Sequence, residues 1–450
     1  MTSGVQGSDR VLIIGGGPAG LATARALTIA GVPFSIVERH TDFGGLWDIT
    51  SPGSPMYRSA HFISSKTMSG HEGFPMPEAF PDYPSNGQIL SYVRSFAERH
   101  QLRAHTRFNT KVLSVSKSER GWQVTSTTGE TSQQETYRWV VCASGTNWHP
   151  RIPELRGADA FEGQLLHSSA YKDAESLRGK RVLVVGAGNS GVDIACDAAF
   201  AAARAFTSFR RGYHFIPKHI FGQPADVFAD SSSWMPPWLS QIILGLLLRV
   251  LNGDLTRLGL MKPDHRVLSS HPIMNTQMLH YLQHGDLVAK PDIAELTKNE
   301  VLFVDGSKES VDVVILATGY DWKLPYLADN LFERVAERPT AFLKVFNPQE
   351  PSIFLNGFVE TNAGAYKLFD EMALLITETI AAQLRNPSLA RDIGRYVAGP
   401  APDLSGGIAY VASARHVGYA NVNALRAAMA RMRKRFGWPT PADYYSRPHT

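Results

Sequence analysis

The stretch Val11–Glu38, VLIIGGGPAGLATARALTIAGVPFSIVE, decides how this chain is read. A β-branched apolar run meets a glycine turn. An alanine-rich segment then predicts a helix to about Ala30, Gly31 ends it, and Phe34–Val37 predicts a second strand. The result is a βαβ unit with Gly15-x-Gly17-x-x-Gly20 at its first turn. Gly15 permits the tight turn, Gly17 lets a pyrophosphate approach the backbone, and Gly20 lets helix and strand pack closely. The helix N-terminus offers free N–H groups and a positive dipole end to phosphate. Glu38 follows the second strand, where a carboxylate accepts the hydroxyls of a ribose.

The unit recurs. Arg181–Val185 (RVLVV) is a strand, Gly186-x-Gly188-x-x-Gly191 the turn, Val192–Ala203 an alanine-rich helix and Ala205–Phe209 the next strand. Each copy is expected to hold its own dinucleotide. The copies differ at the ribose end: the position matching Glu38 is Phe209, followed by Arg210 and Arg211. Two guanidiniums there suit a 2′-phosphate bidentately. The first site is therefore expected to take FAD and the second to prefer NADPH over NADH.

Two further strands run into small residues, Val140–Gly145 (VVCASG) and Val311–Tyr320 (VDVVILATGY). They read as the crossings between the copies. The predicted fold is α/β, with two Rossmann-like dinucleotide-binding domains. The FAD domain is discontinuous, 1–160 and 320–450, and the NADPH domain, 161–319, is inserted in it. Residues 41–90 and 212–265 are rich in Pro, Gly and aromatics and read as ordered loops over a site. A length of 450 residues fits such a layout.

Composition excludes several classes. A net charge of +4 is too balanced for a nucleic-acid binder. Two cysteines, Cys142 and Cys196, supply no CxxC pair, no zinc site and no disulfide framework. No histidine spacing marks a metal site. With no basic-then-apolar leader, a reducing, cytoplasmic setting is expected. The greasiest run, Trp234–Leu251, holds two prolines, Gln241 and Arg249. It reads as a buried helix rather than an integral membrane segment, with a membrane-surface or lid helix as the alternative. Arg426–Arg435 reads as a solvated amphipathic helix.

Phe161-x-Gly163-x-x-x-His167-x-x-x-Tyr171 resembles the FxGxxxHxxxY fingerprint of flavin-containing monooxygenases of the class B type, and it sits between the two glycine turns as in that family. Gly44-Gly45-Leu46-Trp47, Met56-Tyr57-Arg58, Gly188-Asn189-Ser190-Gly191 with Asp193, and Ala317-Thr318-Gly319-Tyr320 extend the resemblance over about residues 10–365. It implies a cycle in which NADPH reduces FAD, O2 adds to form a flavin C4a-hydroperoxide, and one oxygen atom enters a small nitrogen, sulfur or carbonyl substrate. Carried over residue by residue, it implies that Gly15, Gly17, Pro18, Ala19, Gly20 and Glu38 hold FAD. Leu46 and Trp47 would line it, and Val112 would meet the adenine. Gly186, Gly188, Ser190, Gly191, Asp193, Arg210 and Arg211 would hold NADPH. His167 and Tyr171 would couple the domains rather than move protons.

One position departs from the pattern. Aligning Met56-Tyr57-Arg58 and Lys66 puts Ile63 where many members carry an Asn over the flavin, with His61 and Phe62 beside it. Isoleucine offers no hydrogen bond there. N- or S-oxygenation, Baeyer–Villiger insertion and oxidative decarboxylation all stay open. Outside them stand an NADPH oxidase or reductase of the same architecture and a non-enzymatic flavin sensor. The helix expected after Asn362-Ala363-Gly364 would aim its N-terminus at the flavin. Substrate identity and a homodimer are open.

Overall fold

The computed structural model describes residues 9–231, 234–413, 415–416 and 418–447. The opening stretch forms strand β1 (Val11–Ile14), helix α1 (Pro18–Ile29) and strand β2 (Phe34–Val37). The second copy forms β3 (Arg181–Val185), α2 (Asn189–Ala201) and β4 (Arg204–Ser208). Each copy centres a five-stranded parallel sheet. The first runs Ile353–Leu355, Trp139–Cys142, β1, β2, Thr106–Arg107. The second runs Gln164–His167, Val313–Leu316, β3, β4, Leu287–Lys290. The orders correspond strand for strand. Both sheets are buried on two faces, as their near-continuous Val, Ile and Leu runs require.

The likeness reaches the meanders. Thr110–Ser118, Gly121–Thr128 and Thr131–Tyr137 form an antiparallel three-strand sheet before Trp139–Cys142. Ile293–Leu296, Glu300–Phe303 and Lys308–Ser310 do the same before Val313–Leu316. The chain crosses on His149–Pro150 and returns on Tyr320–Asp321, which pair antiparallel. Leu155, Ala158 and Phe161 pack with Leu183, Phe206 and Val314 of the second sheet's core. The chain has therefore reached the second unit before residue 161, since these half-buried apolar side chains pack against that unit's core.

Helix α1 is fixed from behind by the long helix that ends the first unit's core, Tyr366–Arg385. Arg25 of α1 pairs with Asp370 at 2.8 Å, and both are buried. His71 Nδ1 lies 3.1 Å from the same carboxylate. Breaking one partner of such a triad would strand a buried charge.

Two expectations are corrected. The segment 212–265 is not loop but carries the helices Ala225–Ser231 and Pro237–Asn252. The second of these is not buried. Only Gln241 and Leu248 are covered, whereas Trp238 is 58% exposed, Leu246 62% and Val250 82%. The packed face carries a polar residue: the Gln241 amide donates to Val267 O at 3.0 Å and Ser269 Oγ at 3.2 Å. Leu246 and Leu251 are turned outward, while Leu248 packs inward with Leu244 and Leu247 half-buried beside it. No helix among the described residues is long and apolar enough to cross a membrane.

Candidate active site

Both glycine turns are built alike. Gly15 and Gly186 each take φ +115°, which L side chains rarely adopt. Gly15 N–H donates to Val37 O, and Gly186 N–H to Ser208 O. A Cβ on Gly15 would lie 2.5 Å from Ala143 O, and one on Gly186 2.4 Å from Ala317 O. These two carbonyls belong to the strand-to-glycine segments that looked alike in sequence. A Cβ on Gly20 would sit 2.0 Å from Gly15 O, and one on Gly191 2.2 Å from Gly186 O. Helix and strand are thus in contact, as the spacing predicts.

Neither α1 nor α2 has a side-chain cap or an acid in its first turn. Their first N–H groups keep no internal partner by construction. One continuous cavity of about 930 Å³ joins the two N-termini. Gly15, Gly17, Pro18, Ala19, Glu38, Leu46, Trp47, His61, Phe62, Ile63 and Val112 line one part of it. Gly186, Gly188, Ser190, Gly191, Asp193, Arg210 and Arg211 line the other. Gly20 lies behind the turn, outside the lining.

Glu38 is buried and accepts from Gly16 N–H at 2.6 Å and His40 N–H at 2.8 Å, one bond per oxygen. A carboxylate oxygen has a second lone pair, so both remain competent toward a diol. At the equivalent place Phe209 is buried, and Arg210 stands exposed at the cavity. Arg211 leans on Tyr213, with Nε donating to its hydroxyl at 3.3 Å. Asp193 is engaged by the protein: Tyr57 O–H donates to one oxygen at 3.2 Å and the Asn275 amide to the other at 2.7 Å. Burial pushes its carboxyl up from the usual range.

The fingerprint residues Phe161, Gly163, His167 and Tyr171 line no part of the cavity. Phe161 folds over Gly163, where a Cβ would meet its ring at 2.4 Å. His167 Nε2 donates to Gly319 O at 3.0 Å, and Nδ1 accepts from Ser169 N–H at 3.1 Å. Burial lowers its pKa. Tyr171 O–H donates to Asp197 at 2.8 Å, and Ser59 donates to the same oxygen. Arg58 N–H donates to Lys172 O at 2.8 Å. The fingerprint therefore clamps residues 54–60 of the first unit onto the second. Tyr171→Phe is expected to lower the unfolding free energy by about 1.5–3 kcal/mol, the worth of a bond to a charged group. The pH profile of turnover should not move. Denaturant melts and a pH–rate series check this, and a shifted profile would give Tyr171 a proton-transfer role.

At the centre, Phe62 is buried and its ring meets Trp47 at 5.2 Å and Tyr366 at 5.5 Å. Ile63 is 39% exposed and faces the cavity. His61 Nδ1 donates to Ser59 O at 2.8 Å. Ala363, Gly364, Ala365 and Tyr366, leading into the Tyr366–Arg385 helix, also line the cavity. That helix N-terminus has no side-chain cap.

The model of the family described as "FMO-like: Flavin-binding monooxygenase-like" matches residues 8–388. The chain belongs to this family. Human flavin-containing monooxygenase 5 is 32% identical over 371 residues, 78% of this chain and 69% of the relative. The Arabidopsis thaliana protein named "Probable indole-3-pyruvate monooxygenase YUCCA9" is 33% identical over 324 residues, 70% and 75% of the two chains. The open crystal structure of cyclohexanone monooxygenase shares the fold, with a TM-score of 0.70, 18% identity and coverage of 96% and 98%. Membership makes this chain a flavin monooxygenase, an oxidoreductase. Among the described residues no group of three or more His, Cys, Asp or Glu gathers as for a metal ion.

Several lining residues carried no readable signal. Arg39 stacks on Trp148 at 3.9 Å beside Glu38. Arg338, Glu360 and Arg415 enter from far along the chain. An alignment of the two copies places Arg39 opposite Arg210, and nothing local marks the others.

Proposed function

We propose an NADPH- and O2-dependent monooxygenase that puts one oxygen atom into a small nitrogen, sulfur or carbonyl substrate. The cavity joining two uncapped helix N-termini carries this reading. The residues fit the cofactors. The backbone at Gly17 is open, since a Cβ there would meet only Gly45 Cα at 3.5 Å. FAD would be held by Gly15, Gly17, Pro18, Ala19, Gly20 and Glu38, with Leu46, Trp47 and Val112 along it. NADPH would be held by Gly186, Gly188, Ser190, Gly191, Arg210 and Arg211. Asp193 is better read as the anchor of Tyr57. On this assignment the first sheet belongs to the FAD domain and the inserted sheet to the NADPH domain.

When bound, the flavin accepts electrons from NADPH and activates dioxygen. The protein's part is orientation and exclusion of water. Trp47, Phe62, Ile63 and Tyr366 make an apolar wall, and the Tyr366–Arg385 helix directs its positive end toward that region. Turnover with NADPH under isotopically labelled dioxygen tests the proposal. Thioether, tertiary amine, ketone and 2-oxo acid substrates should between them yield a product with one labelled oxygen. Hydrogen peroxide in full proportion to NADPH, with no labelled product, would make the protein an oxidase.

Ile63 favours the carbonyl and 2-oxo acid members of that panel, because its side chain offers no amide at the position where many relatives carry an Asn. Ile63→Asn is expected to lower the share of NADPH that ends as hydrogen peroxide by about two- to tenfold, the worth of one hydrogen bond. Peroxide assays checked against NADPH consumption decide it, and an unchanged share would count against the reading.

A further inference from the structure

A segment of the tail borders the second glycine turn. Leu404 and Asn421 close a loop, Asn421 N–H donating to Leu404 O at 2.8 Å. This loop is tied to both units. Ala420 N–H donates to Glu360 O at 3.0 Å, on the segment that follows the first sheet's edge strand Ile353–Leu355. Val411 N–H donates to Ser269 O at 2.9 Å, on the inserted unit. His271 N–H donates to His416 Nε2 at 2.8 Å, and the Tyr419 hydroxyl meets His271 Nδ1 at 3.0 Å. The loop lies beyond residue 388, where the family match ends.

Ser413 and Arg415 of this loop line the cavity, and Arg415 carries the charge. A Cβ on Gly188, the residue before α2, would lie 3.7 Å from Arg415 Nη1. The guanidinium therefore borders the uncapped N-terminus, where a phosphate meets both the helix dipole and free N–H groups. Charge is unbalanced there. Arg338 and Arg415 share one carboxylate, Glu360, at 2.7 Å and 3.3 Å. The Arg338 side chain is 8% exposed, lies 4.3 Å from the Trp322 ring and donates to Arg415 O at 2.9 Å, which fixes the loop. Its Nε is buried with no hydrogen-bond partner, as is Arg415 Nε. One positive charge is left over, and the Nη atoms of Arg415 carry no hydrogen bond among the described residues.

We propose that Arg415 donates to the pyrophosphate of the nicotinamide dinucleotide seated on the Gly186–Gly191 turn, which puts Arg415 in the wall of that site. This rests on the assignment of that turn to NADPH. The pyrophosphate is common to NADP⁺ and NAD⁺, while the 2′-phosphate is not, so the two guanidinium roles separate by nucleotide.

Calorimetric titration of the flavin-loaded protein with NADP⁺ and with NAD⁺ tests it. Arg415→Gln should weaken both nucleotides by a similar factor of about ten or more, with Arg415→Lys recovering part of the loss. Glu360→Gln should keep or tighten binding, because it releases Arg415 from its carboxylate. Unchanged affinities in Arg415→Gln, or a loss confined to NADP⁺, would overturn the proposal. So would an equal loss in Glu360→Gln, which would mark the ion pair as structural support. A wild-type protein that binds neither nucleotide would remove the NADPH assignment itself, and this proposal with it.

Discussion

Gly15→Ala should yield a colourless protein, whereas Gly186→Ala should stay yellow and fail to take electrons from NADPH. Both substitutions force an L residue into φ +115° and drive a methyl to within 2.5 Å of a strand carbonyl. A backbone of that kind costs about 1–3 kcal/mol, and overpacking a close-fitted site about as much again. Since 1.4 kcal/mol is a factor of ten, nucleotide affinity at the altered turn should fall at least about thirtyfold. The two lesions are the same in geometry and differ in which ligand they expel. The ratio of visible to ultraviolet absorbance after purification, and the rate of anaerobic bleaching by NADPH, measure the two. Equal flavin retention in both variants would contradict the assignment of the turns.

Arg210→Ala should raise the NADPH dissociation constant by about ten- to a hundredfold and leave NADH nearly untouched. The magnitude follows from a charge-assisted contact of about 1.5–3 kcal/mol. Arg210 is the freer of the two arginines. It is exposed at the cavity and makes no hydrogen bond or ion pair among the described residues, whereas Arg211 is already held by Tyr213. Its side chain can therefore turn to a 2′-phosphate without first breaking an internal bond. Titration with each nucleotide separates the outcomes. Equal weakening of both would make Arg210 a general electrostatic contributor and remove it as the discriminator.

The duplicated βαβ units were readable because their constraints are local. A turn at φ +115° excludes side chains, and a helix touching its own strand needs glycine five residues on, so Gly15, Gly20, Gly186 and Gly191 announce themselves. The contrast between Glu38 and Phe209-Arg210 is likewise a matter of offset. What stayed hidden depends on distant partners. Tyr57 meets Asp193 across 136 residues, and Ser59 meets Asp197 across 138. Arg415 reaches the second turn from the tail. No periodicity records such meetings. The outward-facing helix Pro237–Asn252 misled for a different reason: its apolar residues surround the axis, so composition alone does not tell that the packed face is the one carrying Gln241 and Leu248.

The paired strands His149–Pro150 and Tyr320–Asp321 mean that the chain enters and leaves the inserted unit through one doorway. Strand neighbours lie about 5 Å apart. The two ends of the insert therefore meet, as do the two ends of the host it interrupts. A cassette running from Arg151 to Gly319 thus has both covalent seams at a single spot, and side-chain and loop contacts, among them those at residues 57–59 and 411, tie it to the host elsewhere. The host sheet's five strands lie wholly outside those bounds, so none of its ladders runs through the cassette.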